Sequence, residues 1–268
     1  TGDELDQLSR TINRFLDLLA DYLDRNREFV ANAAHELRSP LAAVQSSVEV
    51  TLNSDRTVEE YQDLLCEIAD QCAQLRVLVN QLLLLAEIDA VRSPVEKRPL
   101  QFDQLLEKSV DMFRGAAEER GLTLSSALDL DVMIEGDGNR LRQVVNNLID
   151  NSLKFTPRGG NVLVTLRRDA VRRQVVLKVV DTGMGISADD LPHVFERFYR
   201  GDKSRQRENL TYGNGLGLSI CKSIVAAHGG TIQVHSNVGQ GAAFEVHLPI
   251  AARDADANAD ASRVSYSN

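Results

Sequence analysis

Over the first third of the chain, apolar residues return every three or four positions, from Leu5, Leu8, Ile12, Phe15, Leu19 and Tyr22 to Val30, Ala34, Leu37, Leu41, Val44 and Val48. That spacing marks one face of a helix. It predicts one long helix, or two in series, ending at about Leu52. The segment has no glycine after Gly2, and its single proline, Pro40, should kink or loosen the helix just after His35 by removing a backbone donor. Asn53, Ser54, Asp55 and Arg56 then read as a turn. Thr57 with Glu60 forms a capping box that opens a second helix. This helix carries Val58, Tyr61, Leu65, Ile68, Cys72, Leu75, Val79, Leu82 and Ile88, a near-heptad stripe that ends before Arg92, Ser93 and Pro94. Two antiparallel helices cannot bury such stripes alone. Two copies can, in a four-helix bundle, so residues of roughly 30 to 90 predict a homodimer. The competing arrangement packs the hairpin against the rest of its own chain.

Beyond a linker at Ser93 to Arg98 the texture becomes mixed helix and strand. Asp103 is expected to cap a helix running to about Arg120, with Gly121 as its stop. Short strands are expected at Leu122 to Leu124 and Val132 to Ile134, and a helix from about Asn139 to Phe155 before Pro157. Asn161 to Arg168 and Gln174 to Val180 read as a hairpin pair. A helix from about Leu216 to Ala227 follows, and then strands Thr231 to Ser236 and Ala242 to Leu248 around the turn Gly239, Gln240, Gly241. Helices and strands do not alternate regularly, so the fold class is α+β, a sandwich rather than a doubly wound sheet. The small polar residues from about Ala251 predict a disordered tail.

A chain of 268 residues has room for two folded units. Its net charge of −9 argues against a general nucleic-acid binder, which needs a basic stripe. Partners are therefore expected to be proteins and small ligands. Cys66, Cys72 and Cys221 form no close pair and read as core thiols of a reducing compartment. No apolar run reaches the roughly 20 residues of a membrane helix, and no secretory signal opens the chain. As given, it reads as soluble.

Three groups of residues could carry chemistry. Asn147 and Asn151 lie four apart on one helix face, with Lys154 a turn further on. Their carbonyl oxygens are hard donors for magnesium, and the ammonium can offset phosphate charge, although a polar solvent face would look the same. Asp181, Thr182, Gly183, Met184 and Gly185 follow the β-rich run Val175 to Val180, placing a carboxylate and a flexible turn at a strand end. Gly213, Asn214, Gly215, Leu216, Gly217 and Leu218 open a helix, where unpaired amides favour an anion. The polar stretch from Gly201 to Tyr212 could close over a nucleotide as a lid.

The ordered set Asn147 to Lys154, Asp181 to Gly185, Phe195 to Arg200 and Gly213 to Gly217 resembles the N, G1, F and G2 boxes of histidine kinases. Their ATPase fold is shared with gyrase and with chaperone and mismatch-repair ATPases. FVANAAHELRSPL, from Phe29 to Leu41, resembles the kinase H box, which those other ATPases lack. The resemblance covers residues of about 25 to 250 and implies a dimerisation and phosphoacceptor hairpin at 26–92 and a Bergerat-type ATP-binding domain at 99–250. It further implies that Asp181 bonds the adenine amine, that Asn151 holds magnesium with support from Asn147, and that Lys154, Gly213, Gly215, Leu216 and Gly217 meet phosphates. Gly183 and Gly185 would shape the turn at the base, and Arg200 would reach toward the terminal phosphate. His35 would be the nucleophile, Glu36 its proton acceptor, and Ser39, one turn on, would orient water for a phosphatase reaction; many relatives have threonine or asparagine there. A neutral imidazole can attack a γ-phosphoryl in line.

The first residues, GDELDQLSRTINRFLDLLADYL, resemble the closing helix of a HAMP signal relay, with Asp6 near the place of a glycine common in that motif. This would make 1–25 the end of a relay from an upstream membrane segment, in an inner-membrane sensor whose cytoplasmic part is this chain. The expected activity is autophosphorylation of His35 from ATP with magnesium, followed by transfer to an aspartate of a response regulator. A nucleotide-binding interaction module without catalysis, or a plain ATP hydrolase, are the other classes compatible with such a site.

Overall fold

The protein is described by a computed structural model covering residues 2–53, 57–89, 96–201 and 213–250. It divides into two compact units, Thr1–Leu83 and Leu84–Asn268. Residues 54–56 of the turn expected at Asn53 to Arg56, residues 93–95 of the linker, all of the lid beyond Gly201 and the tail from Ala251 lie outside the described residues.

The first unit is built on α1 (Gly2–Leu52) and most of α2 (Val58–Asp89). α1 is one continuous helix that passes through Pro40 without ending, although Pro40 offers no N–H to the Glu36 carbonyl a turn earlier. α2 opens with the expected capping box: the Thr57 N–H donates to Glu60 Oε2 at 2.8 Å and the Glu60 N–H to Thr57 Oγ1 at 3.3 Å. The better shielded positions recur at helical spacing on each helix, as Phe29, Ala33, Glu36, Pro40, Val44, Ser47 and Thr51 on α1 and Leu64, Ile68, Gln71, Leu75 and Leu78 on α2. A second apolar set stays exposed in the single chain, including Val30, Leu41 and Val48 on α1 and Tyr61, Leu65 and Val79 on α2. Leu8, Ile12, Phe15, Leu19 and Tyr22 extend that exposed set toward the start of α1. Cys66 and Cys72 also lie on exposed positions of α2, so only Cys221 is the core thiol that the composition suggested. Being small and weakly polar, a cysteine reads alike on either stripe, which is why its depth was not legible.

The second unit is a two-layer sandwich. Its sheet runs in the order β2 (Thr123–Leu128), β4 (Asn161–Asp169), β5 (Gln174–Asp181), β7 (Ala242–Pro249), β6 (Thr231–Ser236). β2 pairs parallel to β4, while all other neighbours are antiparallel. Alternation sets the layers: Val162, Val164 and Leu166, then Val175, Leu177 and Val179, then Phe244, Val246 and Leu248 are buried on one face. That face is covered by α3 (Phe102–Glu119), α4 (Gly138–Phe155) and α5 (Gly217–Ala227), which present Leu105, Leu106 and Val110, then Leu141, Val145, Leu148 and Ile149, then Ile220, Ile224 and Val225. A separate two-stranded sheet pairs β1 (Arg98–Gln101) with β3 (Met133–Gly136).

Two expectations need correction. Arg98 is not linker: it begins β1, a strand that the sequence hid because Pro99 sits inside it and three of its four residues are exposed. Asp103 does not cap α3; the cap position is Gln101, without a side-chain bond. The Asp103 carboxylate instead accepts the backbone N–H groups of Asp131 and Val132 at 3.1 and 3.2 Å, because the turn before β3 brings two otherwise unpaired donors to it. Gly121 does stop α3, at φ 66°.

Candidate nucleotide and phosphoacceptor sites

Asp181 ends β5, the second strand of a hairpin whose alternating β-branched residues leave every other side chain facing the helices. The same alternation turns its carboxylate inward, where it is 5 % exposed. Three donors from three elements hold it there. The N–H groups of Gly183 and Ala242 donate to Oδ1 at 2.9 and 3.1 Å, and the Ser152 hydroxyl donates to Oδ2 at 3.3 Å. Burial raises its pKa, and the three hydrogen bonds oppose that rise without cancelling it. Beyond Asp181, Gly185 stands at φ 69° where a Cβ would lie 2.0 Å from the Asn237 carbonyl oxygen, so no side chain fits.

α4 starts from a conventional cap, with Asp137 Oδ1 accepting the N–H groups of Asn139 and Arg140. Asn147, Asn151 and Lys154 share a face further along and are each half-buried. Asn147 Nδ2 donates to the Gly217 carbonyl at 3.3 Å, which ties α4 to the glycine run. Lys154 does not stand free: its ammonium lies 2.5 Å from Asp150 Oδ2, one turn back. α4 therefore meets the glycine run through Asn147 and the buried carboxylate through Ser152.

The run from Gly213 to Gly217 leads into α5. Leu216, fully buried, occupies the cap position and no side chain caps the helix. The first amides of α5 are thus left for water or an anion. Asn214 Oδ1 accepts the Leu216 N–H at 3.3 Å, and the Ser219 hydroxyl donates to the Leu216 carbonyl. Gly215, at φ 72°, receives Phe198: the Phe198 N–H donates to the Gly215 carbonyl at 3.1 Å, and a Cβ on Gly215 would sit 2.7 Å from the Phe198 carbonyl carbon. Phe198 itself adopts φ 61°, rare for an aromatic residue. This clamp places the half-buried Arg200 two residues from the glycine run's partner. Tyr199 is fixed through its hydroxyl, which donates to Asp190 Oδ1 at 2.6 Å.

In the helical unit, the His35 side chain is 80 % exposed and its Nδ1 lies 4.0 Å from Glu36 Oε1, beyond hydrogen-bond reach. Ser39, one turn on, is also exposed. The arrangement is that of an exposed imidazole with a carboxylate nearby.

Sequence reasoning missed Ser152, the Ala242 amide, Asp150 and the Asp190 to Tyr199 tether. Ser152 could have been suspected as a hydroxyl at a position that helical spacing places among Leu148, Ile149 and Leu153. The Ala242 amide could not, because only the β5–β7 pairing brings it to Asp181.

Among the described residues, no group of three His, Cys, Asp or Glu side chains could hold a metal. Asn147 spends its amide nitrogen on Gly217, so its oxygen is the atom left to accept a cation. Asn151, half-buried on the same helix face, offers a second amide oxygen, and such oxygens are the hard donors that magnesium accepts beside phosphate and water.

Comparison with known proteins agrees with this geometry. The family model for the His Kinase A (phospho-acceptor) domain matches residues 25–91. The model for the histidine kinase-, DNA gyrase B- and HSP90-like ATPases matches residues 136–252. The sensor histidine kinase CusS of Escherichia coli (strain K12) is 35 % identical over 246 residues, 92 % of this chain and 50 % of its own length. A protein of Mycobacterium tuberculosis named as a probable sensor histidine kinase, TcrY, is 39 % identical over 257 residues, again 92 % of this chain and 52 % of its own. The chain thus spans about half the length of the curated relatives it matches. Full-length ShkA, crystallised in complex with AMPPNP, superposes with a TM-score of 0.63 at 30 % identity, covering 84 % of this chain and 46 % of that one.

Proposed function

Since the chain belongs to the sensor histidine kinases, we propose that it transfers the terminal phosphoryl group of ATP to His35 and then to an aspartate of a response regulator. The observation that carries this reading is α4. One helix is bonded through Ser152 to a buried carboxylate at a strand end and through Asn147 to a glycine run that opens an uncapped helix.

Asp181 accepts the exocyclic amine of adenine, its fixed Oδ1 leaving Oδ2 as the atom with capacity to spare. The α5 amides and the glycine run receive phosphate oxygens. Lys154 exchanges Asp150 for phosphate when nucleotide enters, and Arg200 faces the terminal phosphate. Asn151 and Asn147 would hold magnesium, which would supply neutralisation of phosphate charge when bound. A ring nitrogen of His35 attacks the γ-phosphorus, the bond to the ADP oxygen breaks, and ADP departs with the electron pair. Glu36 accepts the proton that the other ring nitrogen sheds, after a rotamer change closes the 4.0 Å gap. The phosphoryl group then passes from nitrogen to an aspartate oxygen of the regulator. Ser39 orients water for a separate phosphatase reaction, in which that water attacks the aspartyl phosphate and the aspartate leaves as carboxylate with release of inorganic phosphate.

The apolar residues left exposed on α1 and α2 support a homodimer through the hairpin. Those nearer the start of α1 support a HAMP-like relay over residues 1–25, reached in the whole protein from a membrane segment. Among the described residues no helix is long and apolar enough to cross a membrane.

The test incubates the chain with magnesium and γ-labelled ATP and follows acid-labile, alkali-stable label. Label that disappears in His35→Gln while nucleotide binding persists is expected. Steady phosphate release without labelled protein would instead assign a plain ATP hydrolase.

A further inference from the structure

α4 and α5 run antiparallel, and three polar contacts tie them at matching heights. Gly217 at the start of α5 accepts from Asn147; Cys221 in its middle places Sγ 3.8 Å from the Val144 carbonyl; and at its end His228 Nε2 accepts the Asp137 N–H at 3.0 Å. The last contact joins the cap of one helix to the cap of the other, since His228 closes α5 and Asp137 opens α4.

His228 is 1 % exposed and takes no part in the chemistry described above. Its Nδ1 lies 2.8 Å from the Ile224 carbonyl, which can only accept. The proton is therefore on Nδ1 and the lone pair on Nε2, the one tautomer that can receive the Asp137 N–H. Gly136 permits the approach: a Cβ there would stand 2.5 Å from Leu141 Cδ1 and 3.0 Å from His228 Cδ2.

We propose that His228 is a positioning residue for nucleotide binding, whose neutral imidazole sets the height at which α4 presents Asn147 and Asn151 to the glycine run, and whose protonation releases that register. The inference rests on reading this site as a nucleotide site. A proton on Nε2 would face the Asp137 N–H donor to donor, and α4 would lose the fixed point at its cap. Burial lowers the His228 pKa most; among the charged groups around it, Lys97 and Arg140 lower it further and Asp137 raises it. The folded form thus prefers neutral His228, and the register holds above the ordinary histidine range and fails as pH falls through the lowered pKa.

The experiment measures magnesium–AMPPNP affinity calorimetrically on the whole chain, for wild type, His228→Gln and His228→Asn, at about pH 7.5 and at the lowest pH, well below the ordinary histidine value of about 6.5, at which circular dichroism shows the proteins folded. The Gln carbonyl oxygen reaches the place of Nε2 and cannot be protonated. Asn keeps only a donor near Nδ1. His228→Gln is expected to bind within about twofold of wild type at the higher pH and to gain on it at the lower. His228→Asn should bind about tenfold more weakly with its helical circular dichroism intact. Taking the ratio of variant to wild type cancels protonation of the nucleotide itself. Two folded variants with wild-type affinity, or a Gln to wild-type ratio that is flat with pH, would overturn the proposal. If the Asn variant does not fold, the Gln ratio decides alone. Failure of the wild type to bind AMPPNP at the higher pH would overturn the nucleotide reading itself, an outcome distinct from a flat ratio.

Discussion

Replacing Asp181 by Asn isolates recognition of the base from stability of the fold. In the wild type, Oδ1 is held by two backbone donors, from Gly183 and Ala242, while Oδ2 receives only the Ser152 hydroxyl. An Asn side chain must therefore leave its oxygen at the Oδ1 position and put its NH2 where Oδ2 was. Flipping would set the NH2 against two N–H groups. Ser152 can turn its hydroxyl to accept, so the site stays satisfied. The adenine amine, however, then meets a donor. Losing a hydrogen bond to a charged acceptor costs about 1.5–3 kcal/mol, which at about 1.4 kcal/mol per decade weakens ATP binding by about 10- to 150-fold. Stability moves the other way. The folded pKa of Asp181 is raised, so the folded state holds the proton more tightly than the unfolded chain, and the ionised carboxylate costs stability once pH rises through that raised value. At neutral pH the Asn variant should melt no lower than wild type. Calorimetric titration with ATP and a thermal melt on the same samples check both halves. Full ATP affinity in a folded Asp181→Asn variant would refute the base contact.

Ser152→Ala removes one of three donors to Asp181 and should weaken ATP binding by about fivefold, with a small drop in melting temperature; calorimetry reads it, and an unchanged affinity would show that the hydroxyl is idle. Asp103→Ala strands the Asp131 and Val132 amides and should destabilise the ATP-binding unit by about 1–3 kcal/mol in urea unfolding. Burial pushes the Cys221 thiol up to about 12, so a thiol reagent near pH 8 should spare it in the native chain and modify it in denaturant, as peptide mapping would report. Leu65→Glu places a charge in the exposed stripe of α2 and should shift sedimentation from dimer to monomer; a dimer that persists would mean the chain pairs elsewhere.

The helix spans were legible because periodicity survives without tertiary information: the capping box at Thr57 and Glu60, the stop at Gly121 and the run from Asn139 to Phe155 all stand within a residue or so of the expected places. Strand existence was legible in β4 and β5, whose alternation is strong. The parallel pairing of β2 with β4 was not, since it depends on the return path through α4 rather than on either segment. The same holds at the site. Asn147, Asp181 and the glycines announced themselves through spacing and residue type. Their partners did not, because Ser152 looks like any small helical residue and His228 resembles any histidine before two glycines. Long-range hydrogen bonds choose among such residues, and those bonds exist only once the sheet order is set.

The most direct measurement is mass spectrometry of the whole chain, incubated with magnesium and ATP, kept alkaline and digested. The peptide containing His35 should be heavier by one phosphoryl group, with fragment ions placing the group on the imidazole and with the gain abolished by prior acid treatment. A chain that consumes ATP while that peptide stays unmodified, or that carries the group on a hydroxyl side chain, would contradict the account.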